Sequence, residues 1–170
     1  ITTGEGGMIV TNNKSISSRC KSLRNLAFEK KKRFTHKEIG WNYRMTNLQA
    51  ALGVAQLEQL DNFVIKKRKI GNLYNQLLSK NDNIQLPLKI TNYAENIYWV
   101  YGIMLRDHCR INCSKLLVSL SKNGIGTRTF FWPMHEQPVF KKMGLFKNER
   151  HPVAEKMARN GFYIPSGLGL

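Results

Sequence analysis

The irregular segment GWNYRMT at residues 40–46 carries three side chains that could bind an anionic ligand. Asn42 offers a neutral amide that can donate to an anion without adding charge. Arg44 offers a planar cation suited to phosphate or carboxylate, and Tyr43 offers a ring with a hydroxyl group. Residue types alone favour a different role for Asn42, in which its side chain hydrogen-bonds the backbone of a turn. For Arg44 and Tyr43, an ion pair and a contact at a dimer interface are as plausible as ligand binding.

A second cluster of such residues lies in the segment TRTFFWPMHEQP at residues 127–138. Arg128 and Trp132 could contact a diphosphate and a sugar or base, because a guanidinium pairs with phosphate and an indole offers a flat face. His135 follows Pro133 on a stiff loop, where its imidazole could meet a sugar hydroxyl or a phosphate. A single histidine is more often structural, so both interpretations remain open.

The first segment leads directly into a helix, which would give its side chains a rigid support. Thr46 and Gln49 have the spacing of a capping box, so the helix is expected to begin near Asn47. Apolar residues then recur every three or four positions as far as Leu78. The pattern predicts one long connecting helix, with a break near Gly71.

Other elements follow from turn and capping residues. Two short strands around the glycine-rich turn at residues 4–7 predict a hairpin, and this turn lacks the Lys-Ser/Thr of a phosphate-binding P-loop. Asn13 or Ser15 is expected to cap a helix. The second half predicts a small α/β domain whose elements are a strand at 98–105, a helix capped by Ser114 and ended at 123–124, a strand at 126–131, a helix from Pro152 to Gly161 and a strand at 162–164.

Read together, residues 40–51 and the opening segment ITTGEGGMIVT at residues 1–11 resemble the DegT/DnrJ/EryC1/StrS sugar aminotransferases. The segments at 98–102 and 127–138 are most similar to the perosamine synthase branch of that family. The resemblance covers nearly the whole chain. It implies an α/β fold that forms the C-terminal part of a fold-type-I aminotransferase dependent on pyridoxal phosphate.

The resemblance also implies an activity and a place for each site residue. The enzyme would aminate a nucleotide-linked 4-keto-6-deoxy sugar such as GDP-4-keto-6-deoxymannose, with glutamate as donor, in polysaccharide biosynthesis. In a homodimer, Asn42 would reach the cofactor phosphate of the partner subunit. Tyr43, Arg44, Arg128, Trp132 and His135 would contact substrate, and His135 is not expected to be the general base, because the Schiff-base lysine normally moves the proton in this chemistry.

That lysine would lie just upstream of Ile1, so no catalytic residue is assigned within the chain. We therefore expect an internal fragment of a longer enzyme, inactive alone. Residues 1–46 would end the large cofactor domain, residues 47–80 would form the connecting helix, and residues 81–170 would form a truncated small α/β domain.

The net charge of +16, from 27 Lys and Arg against 11 Asp and Glu, could indicate a polyanionic partner. The basic runs at 30–33 and 66–69 lack an accompanying nucleic-acid-binding motif, so solvated surfaces explain them more simply. We expect no nucleic-acid or membrane partner. A basic binding module without catalysis is the alternative, and an inactive remnant is a third possibility.

Cysteine spacing argues against a disulfide or zinc framework, and hydropathy argues against a membrane-spanning or secreted protein. Cys20, Cys109 and Cys113 are odd in number and lack metal-ligand spacing, which favours reduced thiols over a disulfide or zinc framework. No run of eighteen apolar residues and no signal-peptide pattern is present, so a cytoplasmic location is expected.

Overall fold

A computed structural model describes residues 1–29, 31–32 and 34–170. Lys30 and Arg33 of the first basic run lie outside the described residues. The chain divides into two compact units, Ile1–Asp61 and Asn62–Leu170. This division falls inside the predicted connecting helix, and the three-part domain scheme stays a prediction. Within the described ranges, no helix combines the length and apolar content that a membrane crossing requires.

The first unit contains two helices with well-formed N-terminal caps. α1 spans Lys14–Leu23, and the side chain of Asn13 accepts hydrogen bonds from the first-turn amides of Ser15 and Ile16, at 2.9 and 3.1 Å. α2 spans Asn47–Leu57 and starts with the predicted capping box of Thr46 and Gln49. Both helix starts are confirmed, because a cap depends only on residues close in sequence.

The predicted hairpin in residues 1–11 is wrong, since the described part of that segment contains no strand. Instead of pairing with the segment after the turn, the backbone of Thr2 pairs with a side chain. Its N–H donates to Gln56 Oε1 at 3.0 Å and its carbonyl accepts from Gln56 Nε2. Gln49 Nε2 also donates to the carbonyl of Glu5 at 3.0 Å. Two glutamine side chains of α2 thus hold the segment that was expected to pair with itself.

The connecting segment is two helices, and its predicted break is misplaced. α3 spans Leu60–Leu78, so the interruption after α2 falls at residues 58–59 and α3 continues through Gly71. Gly71 is buried, and a Cβ there would lie 2.4 Å from the ring of Tyr98. The glycine therefore marks a close approach between α3 and an aromatic ring.

The second unit is built on a four-stranded antiparallel sheet in the order β1-β2-β4-β3. Its strands are β1 (Ile84–Gln85), β2 (Tyr101–Leu105), β3 (Arg128–Thr129) and β4 (Gly161–Ile164). Its helices after α3 are α4 (Cys113–Lys122), the 3-10 turn Met134–Glu136, α5 (Pro138–Lys142) and α6 (Pro152–Asn160). The predicted strands and helices occur in the predicted order, and β1, the 3-10 turn and α5 are elements that the sequence analysis did not predict.

One apolar core holds this sheet together. Alternate residues of β2 are buried, and they pack with Tyr98 and with Phe162 of β4. Tyr101 is fully buried, and its hydroxyl donates to Asn75 Oδ1 at 2.7 Å. Asn75 in turn donates to the hydroxyl of Tyr98 at 3.0 Å. Burial raises the pKa of Tyr101 to about 12, so this hydroxyl remains a donor.

Several predicted boundaries in the second unit are confirmed, and three are corrected. The strand expected over residues 98–105 begins at Tyr101, because Tyr98 has a left-handed backbone with φ of 51°. α6 begins at Pro152 and ends before Gly161, and Gly124 after α4 is left-handed with φ of 77°. α4 is capped by Asn112 instead of Ser114, because the Asn112 Oδ1 accepts from the Ser114 N–H at 2.8 Å. The strand expected over residues 126–131 shortens to β3, in which Arg128 pairs with Tyr163 and Thr129 with Phe162.

Candidate functional site

The segment that carries Asn42 is fixed by backbone hydrogen bonds to the residues that follow α1. Trp41 N–H donates to the Leu23 carbonyl at 2.7 Å, and the Trp41 carbonyl accepts from Leu26 N–H at 3.0 Å. Tyr43 N–H donates to the Arg24 carbonyl at 2.9 Å. These bonds make a short antiparallel pairing that orients the Asn42 segment without help from a sheet.

Glycine at position 40 is required by this pairing. A Cβ on Gly40 would lie 2.4 Å from the backbone nitrogen of Ala27 and 2.5 Å from the carbonyl carbon of Leu26. Leu26 and Ala27 themselves have positive φ angles of 62° and 48°. The left-handed backbone at these two non-glycine residues is strained, and it allows residues 40–43 to lie against the end of α1.

The side chains of Asn42 and Arg44 form a donor pair. Arg44 Nε donates to Asn42 Oδ1 at 2.9 Å. This bond uses the acceptor of the Asn42 amide and leaves the Nδ2 donors without a hydrogen-bond partner in the described chain. The Asn42 side chain therefore does not satisfy a turn backbone, which was the structural alternative. Its free N–H groups and the guanidinium can both address an anion.

Tyr43 lies on the surface next to this pair. Its side chain is 73% exposed, and its ring stacks on Trp41 with centroids 6.1 Å apart. Asn42, Tyr43 and Arg44 thus occupy one exposed segment that is fixed by its backbone. This arrangement suits either binding of an anionic ligand or contact with another protein surface.

Arg128 and Trp132, which the sequence places close together, line different cavities of the second unit. Arg128 in β3 lines a cavity of about 290 Å³ with Tyr163 and Ser166. Trp132 lines a larger cavity of about 740 Å³, and the guanidinium of Arg159 lies 5.0 Å from its ring centroid. The Arg159 contact is a cation–π interaction, which leaves Trp132 46% exposed.

His135 is buried in an ion-pair network instead of facing solvent. Its side chain is 7% exposed, and its Nε2 lies 3.2 Å from Glu155 Oε1. Glu155 also accepts two hydrogen bonds from Arg150, both at 3.0 Å, and one from the His151 backbone N–H. The substrate role of His135 therefore stays a prediction, and the structure gives the side chain a second role in holding its loop against α6.

The environment of Glu155 determines its protonation. The hydrogen bonds from Arg150, followed by that from the His151 backbone, lower the pKa of Glu155 to about 2. Nearby, Arg159 pairs with Glu136 at 2.7 Å. Ligand atoms of His135, Glu136 and Glu155 lie within 4.8 Å of one another, but the two arginines already neutralise both carboxylates. We interpret this cluster as an ion-pair network and not as a metal site.

Sequence patterns missed two residues of these sites, Glu155 and Arg159. Glu155 lies in the first turn of α6 and Arg159 in its last, where their charges suit the helix ends. That signal explains their types but not their contacts with residues 132–136. The contacts arise only when α6 folds back onto the loop, so spacing along the chain could not reveal them.

The comparisons with known proteins point to one family. The family model described as the DegT/DnrJ/EryC1/StrS aminotransferase family matches residues 1–170. GDP-perosamine synthase of Escherichia coli O157:H7 is 36% identical over 169 residues, which cover 98% of this chain and 43% of that protein. GDP-perosamine synthase of Vibrio cholerae is 35% identical over 173 residues, covering 100% of this chain and 45% of that protein.

A solved structure with the same fold is Helicobacter pylori PseC, an aminotransferase involved in the biosynthesis of pseudoaminic acid. It aligns with a TM-score of 0.86 at 25% identity, over 100% of this chain and 46% of that chain. The predicted fold is thereby confirmed. The chain spans less than half the length of the curated relatives that it matches.

Proposed function

Because the chain belongs to the DegT/DnrJ/EryC1/StrS aminotransferase family, we propose that the whole protein is a nucleotide-sugar aminotransferase dependent on pyridoxal phosphate. Its acceptor would be a nucleotide-linked 4-keto-6-deoxy sugar of the GDP-4-keto-6-deoxymannose type, and the product GDP-perosamine. Glutamate would donate the amino group. Similarity to two GDP-perosamine synthases supports this substrate class.

The observation that carries the proposal is the donor pair of Asn42 and Arg44 on its anchored segment. The cofactor has an anionic phosphate, and the unengaged amide donors of Asn42 fit such a group because they bind it without adding charge. When bound, the cofactor acts as an electron sink that lets nitrogen move between donor and acceptor. The contribution of Asn42 is to hold the phosphate, and that of Arg44 is to fix the orientation of the amide.

Other residues of the chain would bind and orient the substrates. Arg44 has further guanidinium donors for a carboxylate or phosphate after its bond to Asn42. Arg128 and Trp132 present a cation and an aromatic face, which suit a diphosphate and a sugar or base. His135 would contact the substrate from the same loop as Trp132, and its contact with Glu155 holds that loop in place.

Direct measurement of amino transfer tests the activity. The whole protein is incubated with pyridoxal phosphate, ¹⁵N-glutamate and GDP-4-keto-6-deoxymannose, and the nucleotide sugar is analysed by mass spectrometry. We expect ¹⁵N in the product. If the isotope never enters the sugar with this or related keto sugars, the aminotransferase proposal is wrong.

Cofactor retention tests the role of Asn42. Asn42→Ala should weaken it by roughly 1.5 to 3 kcal/mol, the value of one charge-assisted hydrogen bond, with the fold unchanged. Asn12→Ala removes an exposed amide before α1 and serves as the control. Arg44→Ala should raise the KM for substrates and also lower cofactor retention, because it releases the Asn42 amide, whereas His135→Ala should raise the KM alone. Equal retention in the Asn42 and Asn12 variants would contradict the assignment.

Mixing subunits tests whether the site is shared in a homodimer, as we also propose. Asn42→Ala subunits are mixed with subunits that lack the cofactor-binding lysine. If Asn42 crosses to the partner, one heterodimer site carries both defects and the other carries none. Activity should then rise on mixing. Subunit exchange without any recovery would show that Asn42 acts within its own chain.

A further inference from the structure

The larger cavity of the second unit has the size of a small-molecule site. It is open to solvent and has a volume of about 740 Å³, within the roughly 300 to 1,000 Å³ range of ligand pockets. Its walls come from the end of β2, the following turn, the first residues of α4 and the last residues of α6. Trp132 also lines it.

Positive charge dominates the wall of this cavity. Three arginines line it, Arg106, Arg110 and Arg159. The single carboxylate in the lining, Asp107, is neutralised by an ion pair with Lys156 at 2.6 Å. Arg159 is partly neutralised by Glu136, so the available charge lies mainly on the other two arginines.

Arg110 carries an unpaired positive charge within the described residues. It is exposed, and within the described residues it makes no hydrogen bond or ion pair. Arg106 uses Nε to donate to the Ile84 carbonyl at 3.1 Å, which fixes the side chain and leaves its terminal nitrogens available. A fixed and a free guanidinium that line the same cavity suit an anion with several oxygen acceptors.

The start of α4 adds to this positive field. Asn112, Cys113 and Ser114 line the cavity, and the first turn of α4 contains no acidic residue. The N-terminus of a helix of ten residues carries a partial positive charge. This feature supports the two arginines and would not indicate a site without them.

The remaining walls are apolar and aromatic. Trp132 is 46% exposed and Ile111 is 54% exposed, and both line the same cavity as the arginines. Leu105 and Ala158 add buried apolar surface to the lining. A ligand that fills the cavity must therefore combine an anionic group with a flat or apolar body.

We propose that this cavity binds a phosphorylated small molecule of the nucleoside monophosphate type. Its phosphate would lie against Arg106, Arg110 and the first turn of α4, and its base against Trp132 and Ile111. A phosphate ester carries a charge of about −1.5 to −2 at neutral pH, which two guanidinium groups and a helix N-terminus can balance. Trp132 is also assigned to the proposed sugar-nucleotide substrate, so the inference rests on the proposed function at that residue. GMP binding is measured without amino transfer, so failure of one is distinguishable from failure of the other.

Tryptophan indole signals provide a direct test on the 170-residue chain. The chain has three tryptophans, and Trp41 and Trp99 lie outside the cavity, so they serve as internal controls. In ¹H–¹⁵N spectra, GMP should shift the Trp132 indole signal saturably and leave the other two unchanged. Trp132→Phe assigns the signal. Guanosine and inorganic phosphate, tested separately, should each bind much more weakly than GMP.

A charge-matched pair of variants isolates the role of Arg110. Arg110→Gln should weaken GMP binding about tenfold or more, since it removes a charge-assisted contact. Lys122→Gln removes the same charge at the other end of α4 and should leave affinity almost unchanged. Backbone signals of β2 and β4 verify folding of both variants.

Several results would overturn the proposal. Equal loss of affinity in the two variants would mean nonspecific attraction to a basic protein. Equal binding of GMP and guanosine would remove the role of the phosphate. Equal binding of GMP and inorganic phosphate would remove the role of Trp132 and the apolar wall. Absence of any shift at Trp132 would show that the cavity does not bind this class of ligand.

Discussion

The two units of the chain differ in how they bury apolar side chains. In the second unit, eight apolar residues are buried: Ile84, Tyr98, Tyr101, Ile103, Leu105, Cys113, Ala158 and Phe162. Among the described residues of the first unit, Ala27 alone is buried. The first unit nevertheless has well-capped helices and an anchored site segment. Caps and turns can therefore form a local structure that lacks a core of its own.

Apolar side chains of the first unit are instead on the surface. Met8, Val10 and Leu48 are each more than 80% exposed, and α2 has no buried residue. A monomer rarely exposes so much large apolar surface, and such surfaces typically contact another protein surface. The Asn42 segment belongs to this exposed unit, which agrees with a site that is completed by other parts of the whole protein.

The largest expected effect is on the core of the second unit. Phe162→Ala should lower the free energy of unfolding by about 3 to 5 kcal/mol, because it removes a buried ring from the sheet core. Phe131→Ala, at a ring that is 79% exposed, should change it by less than about 0.5 kcal/mol. Urea unfolding followed by the near-ultraviolet signal of the tyrosines measures both. Similar losses in the two variants would mean that Phe162 is not part of a core.

Acid should weaken the same unit through Glu155. The folded-state pKa of Glu155 is about 2, below the unfolded value of about 4.3, so its ionised form stabilises the fold above that value. This stabilisation should decline as the pH falls from about 4.5 towards 2. Glu155→Gln should therefore be less stable than the parent chain at pH 7 and approach it at pH 2.

A matched carboxylate controls for the general effect of acid. Glu95→Gln removes one side of an exposed pair with Arg68, which should matter little at any pH. Urea midpoints at pH 7, 4, 3 and 2 provide the comparison. A stability difference between Glu155→Gln and the parent that does not depend on pH would refute the linkage.

The smallest expected change in stability concerns the exposed apolar surface of the first unit. Leu48→Gln should reduce binding of a hydrophobic dye and reduce aggregation, while the free energy of unfolding changes by less than about 0.5 kcal/mol. Leu105→Gln, which places an amide in the core of the second unit, should increase dye binding by unfolding it. If Leu48→Gln were as destabilising as Leu105→Gln, the first unit would depend on Leu48 as a core residue.

Sequence patterns predicted the elements whose cause is local. The capping box at Thr46, the proline that opens α6 and the left-handed Gly124 each depend on residues within one turn. The hairpin in residues 1–11 was wrong because Gln49 and Gln56, more than forty positions away, supply its hydrogen-bond partners. Gly71 was misread as a break because the Tyr98 ring that it contacts is distant in sequence.

The candidate sites show the same limit. The sequence identified Asn42 and Arg44 by type, and their hydrogen bond connects residues only two positions apart. It grouped Arg128, Trp132 and His135 on one loop, but their partners on α6 and β4 divide them among two cavities and a buried ion pair. Side-chain direction depends on these tertiary partners, which spacing along the chain does not reveal.

Amide hydrogen exchange on the 170-residue chain tests the contrast between the units most directly. Protection reports the free energy of local opening, which is high in a packed core and low where few apolar contacts exist. We predict slow exchange for the paired amides of β2 and β4 and fast exchange throughout α2 and residues 1–12. If the amides of α2 were protected as strongly as those of β2, the first unit would possess a stable core, and the central claim would be contradicted.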